Sequence, residues 1–184
     1  MSNPPKILEE TTLTSHSVYR GRLLDVWRDE VRLAHGHRTV REYILHPGAV
    51  VMVPLLGEGR LVMVRQFRYP LRQVLVELPA GKIDAGENPE STGRRELVEE
   101  TGYNPQKLTY LGKMHPCIGY SDEQILAYLA EDLSREENQG EHEESLEAFE
   151  LDFAEALAWI GEGKITDVKT IIGLYWAERF LAGR

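Results

Sequence analysis

The sequence is poor in cysteine and lacks long hydrophobic runs. Its 184 residues include a single cysteine, Cys117, so an internal disulfide framework and a cysteine-rich zinc site are both excluded. No uninterrupted apolar run approaches the roughly 20 residues that a membrane-spanning helix needs. The first ten residues, MSNPPKILEE, have neither the basic flank nor the apolar centre of a secretory signal peptide. With 42% hydrophobic and 28% charged residues, the composition predicts a globular protein of the cytoplasm.

The sequence also lacks an excess of positive charge. Lysine and arginine number 21 against 30 aspartate and glutamate residues, which gives a net charge of -9. Residues 131–150 hold nine acidic side chains and one basic one, Arg135, so this segment contributes −8 and the rest of the chain −1. Because no basic stripe is available to neutralise a phosphate backbone, we expect no nucleic-acid partner. The acidic segment predicts either a solvated loop or a loop that holds cations.

Hydrophobic patterning predicts an α+β fold in two parts. Residues 1–47 predict a β-rich arm, in which RLLDVWRDEVRL and RTVREYIL pair across a turn at residues 35–37. Residues 48–184 predict a second, larger domain. Its expected strands cover 49–56, 61–67, 74–81, 109–115, 124–130 and 146–151, and its last two expected helices cover 153–161 and 167–181.

Another helix is predicted between Asn88, a suitable N-cap, and Gly102, a suitable left-handed stop. Glu96, Glu99 and Glu100 fall on one face of it, at spacings of three and four residues. Such a cluster is compatible with a solvated helix face, or with a site for Mg²⁺ or Mn²⁺, which prefer oxygen ligands. The glycine-bounded loop over 81–86, directly before the helix, favours the metal site.

This segment resembles the Nudix hydrolase signature, G-x5-E-x7-R-E-U-x-E-E-x-G-U, in which U is a bulky apolar residue. The fixed positions are occupied by Gly81, Glu87, Arg95, Glu96, Glu99, Glu100 and Gly102. Leu97 fills the first U position, and Tyr103 replaces the usual aliphatic residue at the last. The resemblance implies an α/β/α sandwich with mixed sheets.

The resemblance also implies roles for the residues of the motif. The expected metal ligands are the main-chain carbonyl of Ala80 and the carboxylates of Glu96, Glu99 and Glu100. Arg95 is expected to hold the glutamates by ion pairs, and Glu87 to tie the loop to the helix. Mg²⁺ is the expected cofactor, with Mn²⁺ as a substitute.

Stretches outside the motif resemble the ADP-ribose pyrophosphatase branch, among them REYILHPGAVVMVPLL, VRQFRYPL and VELPAGKIDAGE. By this resemblance Arg41 and Glu42 lie near the adenine, donated across a dimer, and Arg68 reaches the diphosphate. The alternatives are a cross-strand salt bridge for the first two and a surface arginine beside Tyr69 for the third. Glu123 is expected either to approach the metal site or to belong to a plain turn.

The acidic loop occupies the place where this branch carries a catalytic glutamate. Glu144 matches a metal ligand of some relatives, and Glu141 and Glu143 are candidates for the general base. His142 lies between them and is interpreted as a surface histidine.

We therefore expect hydrolysis of ADP-ribose, a nucleoside diphosphate sugar, to AMP and ribose 5-phosphate. The alternatives are another sugar-nucleotide pyrophosphatase, such as a GDP-mannose hydrolase, and a sensor that binds ADP-ribose without cleaving it. The arm over 1–47 is too small for a core of its own, and its apolar side chains Tyr19, Val26 and Trp27 must be buried. We expect a homodimer in which the arms are exchanged.

Overall fold

The computed structural model describes residues 6–136 and 145–184. These residues form two compact units. The first contains residues up to 46 together with 117–123, and the second contains 47–116 and the residues from 124 onwards. That 117–123 belongs to the first unit was not predicted.

The first unit is built on a three-stranded antiparallel sheet. A short 3-10 helix over Lys6–Leu8 precedes strands β1 (Thr11–Arg20), β2 (Asp25–Arg32) and β3 (Arg38–Leu45), which lie in the order β1-β2-β3. The turn between β2 and β3 contains Gly36 at φ +92°, a conformation that favours glycine. Among the described residues of this unit, Asp29 and Val31 alone are buried. Exposed apolar side chains include Val18, Tyr19, Leu23 and Leu24.

In its described residues the second unit contains two sheets, three α-helices and a short 3-10 helix over Gly57–Gly59. Its elements are β4 (Ala49–Pro54), β5 (Arg60–Arg68), β6 (Gln73–Glu77), β7 (Ala80–Lys82), α1 (Pro89–Thr101), β8 (Tyr103–Met114), β9 (Ile125–Arg135), β10 (Leu146–Asp152), α2 (Phe153–Gly161) and α3 (Val168–Ala182). One sheet has the order β10-β5-β6 and the other β7-β4-β9-β8. β4 and β9 pair in parallel and the remaining neighbours are antiparallel. The predicted α+β fold with mixed sheets is confirmed.

Several predicted strands have different bounds in the structure: β4 ends two residues earlier than expected and β9 extends five residues further, to Arg135. The strand expected over 74–81 is split into β6 and β7, because Pro79 has no N–H and the Leu78 N–H bonds to the Thr170 hydroxyl at 2.8 Å. β8 begins at Tyr103 rather than at residue 109. It lies at the edge of its sheet, where Pro105 is tolerated.

The core of the second unit lies against β4, whose six residues are all buried. One face of β4 packs with β5 and α3, and the other with α1 through Met52 and Leu97. A Cβ added at Gly93 of α1 would lie 2.6 Å from the Met52 sulfur, so this mid-helix glycine is needed for close packing. In the described parts of the chain, no helix is both long and apolar enough to cross a membrane.

Candidate active site

Local sequence fixes both ends of α1, as predicted. The Asn88 side chain accepts a hydrogen bond from the Ser91 N–H at 2.9 Å, and Pro89 occupies the first turn. At the other end Gly102 has φ +71°, and its N–H donates to the Val98 carbonyl at 2.8 Å. The helix therefore presents its glutamates at a defined position after the loop.

Arg95 is the centre of the charge cluster on α1. Its Nε and Nη2 donate to the two carboxylate oxygens of Glu87 at 3.0 Å each. Its Nη1 donates to Glu96 at 2.9 Å and to Glu99 at 3.0 Å. The Arg95 hydrogen bonds, with a further one from Thr92, lower the pKa of Glu87 to about 2. Arg95 thus pairs with two of the three clustered glutamates of α1 and with Glu87, which connects the loop to the helix.

Glu96 and Glu100 support the backbone of β7. The Ala80 N–H donates to the Glu100 carboxylate at 3.1 Å. A Cβ added at Gly81 would lie 1.9 Å from the Glu96 carboxyl carbon, so the carboxylate occupies the space of a side chain at residue 81. The glycine of the motif is therefore required for the close approach of loop and helix.

Burial acts against the ionised forms of both carboxylates. It raises the pKa of Glu100 to about 8, and the nearby charge of Glu96 adds to the effect. Burial also raises the pKa of Glu96, which is 16% exposed, despite its ion pair with Arg95. Arg95 pairs with Glu96 but not with Glu100, so these two partly buried carboxylates form a site that a further cation would stabilise.

The donor set suits a hard divalent cation, because it consists of carboxylate oxygens and the Ala80 carbonyl. Among residues 6–136 and 145–184, however, no group of three acidic, histidine or cysteine side chains is arranged to hold a metal ion. In this structure Arg95 pairs with Glu96 and Glu99, and the Ala80 N–H donates to Glu100. Metal binding by these residues therefore requires some of these contacts to be exchanged.

A second charge cluster is centred on Glu77, at the end of β6. Arg68 donates to its two carboxylate oxygens through Nε and Nη2, at 2.7 Å each. Lys169 of α3 contacts the same carboxylate and also Asp167, at 3.0 Å. Burial raises the pKa of Glu77, which is only 1% exposed, but the two cations outweigh it and the net shift is downward.

Sequence reasoning identified Arg68 but missed Glu77 and Lys169. The only local signal was a glutamate that ends a run of apolar residues in LVELPAG. Arg68 is 38% exposed, and its guanidinium is held by both oxygens of Glu77. The guanidinium over the Tyr69 ring is that of Arg72, 3.4 Å from the ring centroid.

The remaining described candidates lie in the first unit. Arg41 donates to both carboxylate oxygens of Glu10, at 2.9 and 2.5 Å, and Glu42 forms a cross-strand pair with Arg28 at 3.9 Å. Both residues form ion pairs in this structure, and only the Arg28–Glu42 pair joins two strands. Glu123 lies 3.9 Å from His46, and its N–H donates to the Ser121 hydroxyl.

The candidates of the acidic loop, Glu141, Glu143 and Glu144, lie outside the described residues, as does His142.

Comparison with known proteins agrees with these features. A model of the NUDIX domain matches residues 45–169. The chain is 37% identical over 175 residues to an ADP-ribose pyrophosphatase of Bacillus subtilis, covering 94% of this chain and 95% of that protein. It is 38% identical, with the same coverage, to a methanol dehydrogenase activator of Bacillus methanolicus. A crystal structure of an ADP compounds hydrolase superimposes with a TM-score of 0.87 over 98% of both chains, at 24% identity, which supports the fold.

Proposed function

This chain belongs to the NUDIX family, and we propose that it is an enzyme that hydrolyses ADP-ribose to AMP and ribose 5-phosphate. The main support for the proposal is that the Ala80-Gly81 backbone lies in direct contact with the carboxylates of Glu96 and Glu100. This arrangement gathers oxygen donors at one place, in a chain 37% identical to an ADP-ribose pyrophosphatase. The retention of both glutamates argues against a sensor that binds without cleaving.

The reaction needs water to attack a phosphorus atom that is shielded by negative oxygens. A divalent cation, which we propose is Mg²⁺ with Mn²⁺ as a substitute, neutralises phosphate oxygens and acidifies the attacking water. The residues that would hold it are Ala80, through its carbonyl, and Glu96, Glu99 and Glu100. Water then adds to phosphorus, the bond from phosphorus to the bridging oxygen breaks, and a carboxylate accepts the proton of the water.

The protein side chains supply positioning and charge. Arg95 keeps the glutamates on one face of α1 through its contacts with Glu87, Glu96 and Glu99. Arg68, 38% exposed and held by Glu77, offers a guanidinium to the diphosphate. Glu99, about half exposed, and the loop residues Glu141, Glu143 and Glu144 are the candidates for the general base, and Glu144 also for a metal ligand.

We place adenine recognition at Arg41 and Glu42, donated across a homodimer in which residues 1–47 are exchanged, with Glu123 as a further contact. The support is the poorly buried sheet of the first unit, whose exposed Val18 and Tyr19 would gain a partner surface. We further propose that the enzyme acts in the cytoplasm without a nucleic-acid partner, in keeping with its charge of -9. Light scattering at working concentration tests the dimer, which a stable monomer would exclude.

Turnover of the purified protein tests the function. Release of AMP from ADP-ribose is followed by chromatography with Mg²⁺, with Mn²⁺ and with excess chelator, and GDP-mannose is assayed in parallel. We expect rapid metal-dependent release of AMP and little turnover of GDP-mannose. The opposite preference would support the alternative pyrophosphatase, and tight binding of ADP-ribose without products would support the sensor.

A further inference from the structure

The first turn of α3 contacts both Glu77, which holds Arg68, and Leu78, which leads to Ala80. Asp167 caps this helix by accepting from the Thr170 N–H at 3.0 Å, and it also accepts from the Thr170 hydroxyl at 2.6 Å. The same Asp167 oxygen accepts from Lys169 at 3.0 Å. The side chains of Lys169 and Thr170 are therefore fixed at the helix terminus, and both reach residues of the segment 77–80.

Lys169 acts on the carboxylate that holds Arg68. The Glu77 carboxylate is buried between the Lys169 ammonium and the Arg68 guanidinium, and Lys169 itself is only 12% exposed. Together with Asp167 the group contains two cations, Arg68 and Lys169, and two anions. Charges that are buried need to be paired in this way. Loss of the Lys169 charge would leave Glu77 balanced by Arg68 alone and would change the position of that guanidinium.

Thr170 acts on the backbone that leads to Ala80. Its hydroxyl accepts from the Leu78 N–H at 2.8 Å, and both residues are almost fully buried. The packing leaves little room for movement, because a Cβ added at Gly173 of α3 would lie 2.9 Å from a Leu78 methyl group. Two residues further along, Ala80 presents its N–H to Glu100. A shift of Leu78 is thus transmitted to Ala80, the expected carbonyl ligand.

We propose that Lys169 and Thr170 are positioning residues of the active site: Lys169 orients Arg68 through Glu77, and Thr170 fixes the Ala80 carbonyl through the Leu78 N–H. The proposal rests on the proposed function for the roles of Arg68 and Ala80. Neither α3 residue hydrogen-bonds to Arg68 or to the α1 glutamates in the contacts described above. Thr170 therefore acts through the Leu78 backbone, and Lys169 acts through Glu77 and, through space, by its charge on Glu100.

Thr170 is tested by metal binding to the nucleotide-free protein. Mn²⁺ is titrated into wild type, Thr170→Val and Thr170→Ser, and free Mn²⁺ is measured by electron paramagnetic resonance. We expect Thr170→Val to weaken Mn²⁺ binding about tenfold, in the range typical of outer-shell partners, and Thr170→Ser to restore it because the hydroxyl is kept. Equal affinity of the Val and Ser variants would overturn this part of the proposal.

Lys169 is tested by kinetics and by the NMR signal of Arg68. We expect Lys169→Met to raise KM for ADP-ribose about tenfold, the equivalent of one charged hydrogen bond. The Lys169→Met variant should also shift the NMR resonance of the Arg68 Nε–H. This resonance is assigned as the one that disappears in Arg68→Lys. The matched control is Lys164→Met, which removes an exposed lysine paired with Glu162 and should change neither quantity. An unchanged KM and resonance in Lys169→Met would overturn the role of Lys169.

One further variant, and the absence of nucleotide from two of the measurements, keep these outcomes separate. Lys169→Gln retains a donor for Glu77 without the charge and replaces Lys169→Met if the latter does not fold. If wild type releases no AMP from ADP-ribose, the proposed function fails. The Mn²⁺ titration and the Arg68 resonance still decide the inference, because neither contains nucleotide.

Discussion

The two charge clusters of the second unit are balanced in opposite ways. On α1 one guanidinium, Arg95, hydrogen-bonds to three carboxylates, of which Glu99 is 49% exposed, and lies 3.6 Å from a fourth, Asp84. At the end of β6 one buried carboxylate, Glu77, lies between two cations. The α1 cluster has negative charge in excess and carboxylates that can exchange partners. The Glu77 cluster is neutral with Asp167, and its members other than Arg68 are mostly buried, so its contacts are those of a fixed support. We infer that the first cluster performs the chemistry and the second holds the groups that surround it.

Removal of one carboxylate from the α1 cluster should give the largest effect on activity. We expect Glu100→Gln to lower kcat about a thousandfold, since a lost metal ligand removes several kcal/mol of charge stabilisation. The variant should fold, because Glu100 is a buried carboxylate whose pKa of about 8 already disfavours its charge. Steady-state release of AMP measures the change, with Glu90→Gln, an exposed glutamate of the same helix, as control. A wild-type kcat in Glu100→Gln would show that the α1 cluster does not perform the chemistry.

Removal of the carboxylate from the Glu77 cluster should instead affect stability. Glu77→Gln leaves two cations near a buried amide, and loss of one partner from a buried ion pair costs about 3–5 kcal/mol. Urea denaturation of Glu77→Gln and Glu99→Gln measures the difference. We expect a large fall in the free energy of unfolding for the first and a small one for the second. Similar stabilities would show that the Glu77 cluster is not a structural support.

The pH dependence should distinguish the clusters through Glu100. Its pKa of about 8 lies above the ordinary glutamate value. At pH values between the two, Glu100 keeps a proton in the folded protein that it has lost in the unfolded chain. The resulting stability is fully present below the ordinary pKa and is lost as the pH rises through about 8. We expect Tm of the metal-free protein to fall between pH 6 and pH 9, and Mg²⁺ to raise Tm more at pH 9.

Differential scanning fluorimetry measures these changes in Tm. In Glu100→Gln, whose side chain does not titrate, Tm should fall less steeply with pH than in wild type. The prediction fails if the metal-free variant and wild type show the same pH dependence.

The exposed pair of the first unit should show the smallest effect on stability. Arg28 and Glu42 lie 3.9 Å apart with both side chains more than half exposed, so their pairing is worth less than about 1 kcal/mol. If Glu42 binds adenine, Glu42→Gln should raise KM for ADP-ribose at almost unchanged stability. Arg28→Ala removes the same pair and should leave KM unchanged. Equal KM values for the two variants would leave Glu42 with the salt-bridge role alone.

The two clusters also differ in how far the sequence predicts them. Glu87, Arg95 and Glu99 occur within one loop and helix, where caps and periodicity fix their relative positions. Glu77 and Lys169 are 92 residues apart, and no local pattern relates a strand end to the start of a distant helix. The strand over 74–81 was likewise predicted as continuous, because the partner that draws away the Leu78 N–H, Thr170, is equally remote. The fold class was predictable because long periodic segments determine it.

Anomalous diffraction from crystals grown with Mn²⁺ locates the metal. We expect a manganese peak beside the Ala80 carbonyl and the carboxylates of Glu96 and Glu100, with Arg95 still paired to Glu87 but released from Glu96. Manganese bound elsewhere, while Glu96 keeps Arg95 and Glu100 keeps the Ala80 N–H, would show that these carboxylates do not form the metal site.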